Sequence, residues 1–139
     1  MIRVEAESAA DPRTAWALLA RPDRWHRWAP HVRGAVGLGS PEVTAGARGA
    51  ALLAGVVPIP ARIAAKEEGT WWAWRVGPLD IGHQVLPRNG GCTVAAELHA
   101  PGPLEPLVGA AYGPIVRRLV SKTAREAERT ALASETTPS

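Results

Sequence analysis

At Pro101-Gly102-Pro103 the hydrophobic period of this chain changes from two to 3.6, and that change constrains the fold more than any other feature. Upstream, from about residue 31, short apolar runs alternate with turn signals. Candidate strands lie at 32–38, 47–55, 59–67, 70–76, 79–86 and 92–99. Gly39-Ser40-Pro41, Glu68-Gly69, Gly77-Pro78 and Asn89-Gly90-Gly91 separate most of them. Links this short join antiparallel neighbours, because parallel neighbours need crossovers of about a dozen residues or more. Pro58 and Pro60 flank Ile59, which sets that strand to start late or lie at an edge. Downstream, Leu104, Leu107, Val108, Ala111, Ile115, Leu119 and Val120 form an apolar stripe, with Arg117, Arg118, Arg125, Glu126 and Arg129 on the other side. This is a long amphipathic helix over roughly 104–132. Pro114 is expected to kink it or start it afresh, and Gly109 and Gly113 weaken the same turns. Residues 134–139 are polar and read as a frayed tail.

The N-terminal part adds one strand and two short helices. Residues 2–8 alternate, with Ile2, Val4 and Ala6 inward. Asp11 is placed to cap a helix that has Pro12 at its first position and Trp16, Leu19 and Ala20 on its apolar face. Arg21-Pro22 ends that helix. Asp23 then caps a second, from Arg24 to Trp28, which Pro30 closes. Helices segregated to one side of an antiparallel sheet define an α+β domain. A twisted sheet of six or seven strands has a concave face that the long C-terminal helix can fill. One domain accounts for all 139 residues.

Composition removes several function classes. No run approaches a membrane span, and the alternating N-terminus lacks the continuous apolar stretch of a signal peptide, so a cytoplasmic location is expected. Cys92 is the single cysteine; it excludes an intrachain disulfide and reads as a small buried residue. The net charge of +3 rests on 14 Arg and 2 Lys spread along the chain, without the clustered basic face that nucleic-acid binding uses. No phosphate loop, zinc signature or hydrolase nucleophile motif is present, so neither a metal nor a cofactor is expected.

Function must then come from residues that point into the space between sheet and helix. The inward candidates on the strands are small: Ala47, Gly49, Ala51, Ala61, Ala65 and Ala96. Small residues opposite a large helix leave a cavity, and ligand sites typically enclose roughly 300–1,000 Å³. Alternation turns His83 inward with Ile81 and Val85, and puts Trp72, Trp74 and Val76 on one face. Cys92, Val94, Ala96 and Leu98 share a face, leaving Glu97 and His99 outside. Tyr112 borders the helix stripe between Val108 and Ile115. His83 can exchange a proton near neutral pH, and Tyr112 can donate a hydrogen bond to a carbonyl or its enolate. Trp72 and Trp74 offer flat apolar surfaces for stacking, with Trp28 at the pocket mouth. Each has a plainer reading as core: His83 bonded to a carbonyl or to Tyr112, the tryptophans as packing. Arg75 and Asp80 read as facing solvent or the pocket mouth, where they could meet a ligand, and His26 and His31 as surface residues.

The segment from Asp11 to Pro30, with Trp16-Ala-Leu-Leu19 followed by Pro22-Asp-Arg-Trp-His-Arg-Trp28, resembles the opening of the START-like (SRPBCC) superfamily, in its polyketide cyclase/dehydrase-like branch. Trp72-Ala-Trp-Arg-Val-Gly77, His83-Gln-Val-Leu-Pro87, Gly91-Cys-Thr-Val94 and the closing helix extend the resemblance over residues 2 to about 132. It implies a helix-grip fold with a pocket between sheet and C-terminal helix that binds a polyketide, a lipid or an aromatic metabolite. Some such proteins catalyse cyclisation or dehydration, and many only bind or carry; no universal catalytic motif carries over. The chain departs from the pattern in having no Phe and in its interrupted closing helix. On this reading His83 and Tyr112 are the catalytic candidates, and Trp28, Trp72, Trp74, Ile81, Ala96, Val108 and Ile115 the ligand-binding ones. The alternative is a protein-interaction module, as in co-chaperone and toxin relatives. The residues are compatible with a monomer or a homodimer.

Overall fold

The computed structural model describes residues 2–29, 32–53, 57–100, 102 and 105–136, with the side chains of 53, 105–113 and 133–136 outside that description. Strand β1 (Ile2–Ser8) leads into helix α1 (Pro12–Ala20) and a 3₁₀ segment (Pro22–Arg27). Strands β2 (Val32–Val36), β3 (Arg48–Leu53), β4 (Val57–Glu67), β5 (Trp71–Val76), β6 (Leu79–Arg88) and β7 (Gly91–His99) follow, then helix α2 (Glu105–Thr136). The strands form one sheet in the order β1-β7-β6-β5-β4-β3-β2, and every pairing is antiparallel. The result is the α+β arrangement of a helix-grip fold.

Local chemistry explains most boundaries. Asp11 accepts a hydrogen bond from the Thr14 N–H at 2.9 Å, the N-cap its position suggests. The next element differs from expectation. It is a 3₁₀ turn that starts at Pro22, whose fixed φ suits a first helical position, and no side chain caps it, so Asp23 is not the cap. Helix α2 runs unbroken through Pro114 and on to Thr136, past the expected end. A proline removes one backbone bond, and the residues on either side remain helical here.

The two prolines of β4 lie in an interior strand, yet their missing N–H groups break no ladder. Residues 57–60 pair with β3 alone, because the pairing with β5 stops at Ala61↔Val76. The Pro60 carbonyl accepts from Gly77 at 3.1 Å, so its nitrogen points to that same unladdered side. A bulge between Ile63 and Ala65 then reverses the alternation. Ala65 therefore pairs with Ala73 and shares the outer face, correcting its inward assignment, and Lys66 takes the concave face opposite Trp72. There Lys66 Nζ lies 3.0 Å from Glu42 and 2.8 Å from Glu68, while Glu42 also accepts from Trp16 Nε1 at 3.2 Å.

The core has two parts. Helix α2 packs on β1, β7 and α1. Buried Ser8 donates to the Ala124 carbonyl at 2.8 Å, and Glu128 accepts from the Ala9 N–H at 2.8 Å, tying the helix to the end of β1. In the middle of the sheet the cover is aromatic. Trp25 stacks on Trp72 with ring centroids 5.7 Å apart and planes within 4°, and lies 4.9 Å from Trp74. Leu38 and Val43, from the loop between β2 and β3, are buried beside them in the same core. Trp25→Ala should lower stability by about 3–5 kcal/mol in a urea titration, as for other buried large-to-small changes. Arg62→Ala, on the exposed face of β4, should stay within about 0.5 kcal/mol.

Candidate functional site

Between the 3₁₀ segment, strands β6 and β7, and the middle of α2 lies a cavity of about 140 Å³. Its sheet wall is Trp74, Ile81, His83, Val94, Ala96 and Leu98, all on the concave face by alternation. Leu19 closes the α1 side, and Trp25, Trp28 and Ala29 close the side of the 3₁₀ segment. From α2 come Val116, Leu119, Val120 and Thr123. Ala95 and Glu97 border it from the main chain; the Glu97 carboxylate lies on the outer face, 2.6 Å from Arg3. The volume is smaller than the typical ligand site expected from the sequence.

The aromatic groups form one cluster. His83 lies 4.7 Å from Trp72, 5.8 Å from Trp28 in an edge-on contact and 6.5 Å from Trp74. Trp25 and Trp28 satisfy their indole N–H groups on the Leu19 and Leu18 carbonyls, both at 2.8 Å. Trp72 Nε1, Trp74 Nε1 and His83 Nε2 are buried without a hydrogen-bond partner. An unpartnered buried donor or acceptor costs about 1–3 kcal/mol. Burial also pulls the His83 pKa down to about 4, so the imidazole is neutral at pH 7. Thr123 adds a hydroxyl to the lining but spends it on the Leu119 carbonyl at 2.9 Å.

The sequence-derived candidates divide into three groups. Trp28, Trp74, Ile81, His83 and Ala96 come together at the cavity. Trp72 does not line it: fully buried, it sits between Trp25 and His83 as core. Ile115 is 46% exposed and is corrected to a surface position. It lies five residues before Val120, about 140° around the helix at 100° per residue, so the buried stripe runs Val116, Val120, Thr123, Ala127 instead. Val108 and Tyr112 fall outside the described side chains, as does His31. His26 is exposed, and Arg75 pairs with Asp80 at 3.3 Å on the surface. Cys92 is fully buried and its thiol pKa is raised by desolvation, as suits packing and not nucleophilic attack. The residues missed were Leu19, Val94, Leu98, Val116, Leu119, Val120 and Thr123 as lining, and Trp25 as the centre of the cluster. Spacing at three and four residues along α2 was the available signal for the helical set.

Among the described residues no three His, Cys, Asp or Glu side chains gather as metal ligands would, and no helix is long and apolar enough to cross a membrane. The sequence matches the family described as polyketide cyclase / dehydrase and lipid transport over residues 1–133. The chain belongs to that family. Its fold agrees with solved structures of low sequence identity. A Mesorhizobium loti protein is 13% identical, with a TM-score of 0.73 over 99% of this chain and 98% of that one. A Mycobacterium smegmatis START superfamily protein is 15% identical, with a TM-score of 0.66 over 93% and 97%. A putative protein of the dynemicin biosynthetic locus is 19% identical, with a TM-score of 0.63 over 86% of this chain and 45% of that one. No curated protein matches the chain. Family and fold together point to a ligand-binding domain of the SRPBCC kind.

The buried imidazole makes a pH prediction. The folded pKa lies below the unfolded value near 6.5, so between about pH 6.5 and 4 the unfolded state binds more protons. Stability from this group is therefore full above pH 6.5 and falls as the pH drops towards 4, by about 3 kcal/mol. Urea midpoints at pH 7 and pH 4 should show this loss in the wild type and a loss smaller by that amount in His83→Leu.

Proposed function

We propose that the protein binds a small apolar molecule in the cavity between β6, β7 and α2, and that binding or carriage is its function. The observation that carries this reading is an apolar cavity inside a packed core, walled by Trp74, Ile81, Ala96 and Val120. Protein interiors are otherwise close-packed, and a void forfeits the contacts that would fill it. The family description, with both cyclase chemistry and lipid transport in it, supports a hydrophobic ligand of the polyketide, lipid or aromatic kind.

The geometry favours binding over catalysis. Cyclisation or dehydration needs convergent acid and base groups. His83 is the one ionisable side chain turned into the described part of the cavity. Among the described residues no carboxylate pairs with it, and with a pKa near 4 it is a weak base at neutral pH. Trp74 and Trp28 present apolar ring surface against which a flat ligand stacks.

The test is a screen of flat aromatic compounds, sterols and fatty acids by tryptophan emission and thermal melting. A true ligand shifts the emission of Trp74 and raises the melting temperature; a hundredfold excess over Kd stabilises by about 2.7 kcal/mol. Ala96→Leu fills the cavity from the sheet side. It should keep the melting temperature at or above that of the wild type and weaken binding at least tenfold. A variant that binds every hit as tightly as the wild type does would remove this cavity from the function.

A further inference from the structure

The cavity also limits what it can hold, and three observations set the limit. The first is size. An apolar cavity of about 150 Å³ accommodates benzene, and the cavity lined by the described residues is about 140 Å³. A fused tricycle has more than twice the carbon atoms of benzene, and a sterol more than four times as many. The second is charge. No carboxylate, lysine or arginine side chain turns into the described lining, and His83, the one ionisable group there, is kept neutral by burial; the Glu97 carboxylate is engaged by Arg3 on the opposite face of the sheet. Lys66, which reaches the concave face, is absent from the lining and is held by Glu42 and Glu68. An anion here would be buried with no countercharge. The third is polarity. Trp74 and His83 both line the cavity, and each carries a buried ring nitrogen without a partner. An indole N–H only donates, so its complement is an acceptor. The torsions that turn such rings are broad, and a ligand oxygen is the partner that the Trp74 N–H, or an imidazole N–H on His83, would take up on turning.

From the size, the missing countercharge and the two unpartnered nitrogens we infer that the ligand is a neutral, single-ring compound bearing one oxygen acceptor. A monocyclic aromatic ketone, aldehyde or phenol fits; a fused polycycle, a sterol or a fatty acid does not. The inference rests on the ligand-binding reading and narrows it.

Four probes and one control at pH 7 separate the parts, read by tryptophan emission and by melting temperature. Acetophenone has the ring and the acceptor, ethylbenzene the ring alone, benzoate a negative charge, and 9-acetylanthracene the same carbonyl on three fused rings. Dodecanoate is the fatty-acid control. Acetophenone should bind. Ethylbenzene should bind about five- to tenfold more weakly, the net worth of one hydrogen bond. Benzoate, 9-acetylanthracene and dodecanoate should bind at least a hundredfold more weakly or not at all. The preference for acetophenone over ethylbenzene, read as the ratio of the two affinities within each variant, should fall towards one in Trp74→Phe or in His83→Leu. Two variants are used so that a folding defect in one leaves the other to decide. Equal affinity for acetophenone and ethylbenzene in the wild type, or a preference kept in both variants, overturns the acceptor. Tighter binding of 9-acetylanthracene or dodecanoate overturns the size and class while the ligand-binding reading stands. No response to any of the five, by either readout, overturns the ligand-binding reading itself.

Discussion

A concave sheet has to be filled, and here the filling depends on one indole. Among the described residues α2 packs on β1, β7 and α1, so the middle strands need another cover. Trp25 supplies it, stacking on Trp72 and tilting against Trp74. Aromatic pairs at these separations add about 0.5–1.5 kcal/mol each beyond the area they bury. The placement of Trp25 follows from α1 ending at Ala20 and from the tight 3₁₀ turn that Pro22 starts. Its N–H returns to the Leu19 carbonyl, which locks the turn to the helix that precedes it. Ala51 and Ala61, both buried on β3 and β4, belong to the same core.

The contrast between satisfied and unsatisfied indoles has a structural cause. The last carbonyls of a helix have no partner within it. Trp25 and Trp28 lie just beyond the end of α1 and find two such groups, on Leu19 and Leu18. Trp72, Trp74 and His83 stand instead in the centre of the sheet, where neighbouring strands already use the backbone donors and acceptors on both sides. Their ring nitrogens must find another side chain, a water or a ligand, and no protein group meets them. The same positions that make these rings effective core therefore leave buried polar atoms unpaired, two of them on residues that line the cavity.

Much of this was legible in the sequence because period and turn chemistry are local. The change of period at Pro101-Gly102-Pro103, the Asp11 cap and the turns at Glu68-Gly69 and Gly77-Pro78 placed the main elements, and alternation put His83, Trp74 and Ala96 on the concave face. The errors arose where one residue more or less changes a direction. The bulge between Ile63 and Ala65 moved Ala65 outward and Lys66 inward, and no residue type at 63–65 announces it. Ile115 belonged to an apolar pattern broad enough to cover more than half the helix circumference; only packing against the sheet selects Val116 and Val120 over it. Trp72 and Trp74 read alike in sequence. Trp25, nearly fifty residues earlier, covers the first and leaves the second partly bordering the cavity.

The position of the void follows from the same division of labour. Alanine opposite a helix can allow either close approach or empty space. Near the C-terminal end of α2, Ala124 and Ala127 are buried and the Ser8 hydroxyl reaches the Ala124 carbonyl, so small residues give contact. One to two turns earlier, Val116, Leu119 and Val120 line a space together with Ala96, and small size there gives a cavity. The difference is the aromatic wedge: Trp28 and Trp74 stand at the edge of that space, and rings cannot shorten to let the helix close. At about 24 cal/mol per Å³, a void of about 140 Å³ costs about 3 kcal/mol. That is a sizeable fraction of a domain's net stability of about 5–15 kcal/mol. A fold that maintains such a space with rigid rings, where a single larger side chain at Ala96 would remove it, is organised around keeping it open.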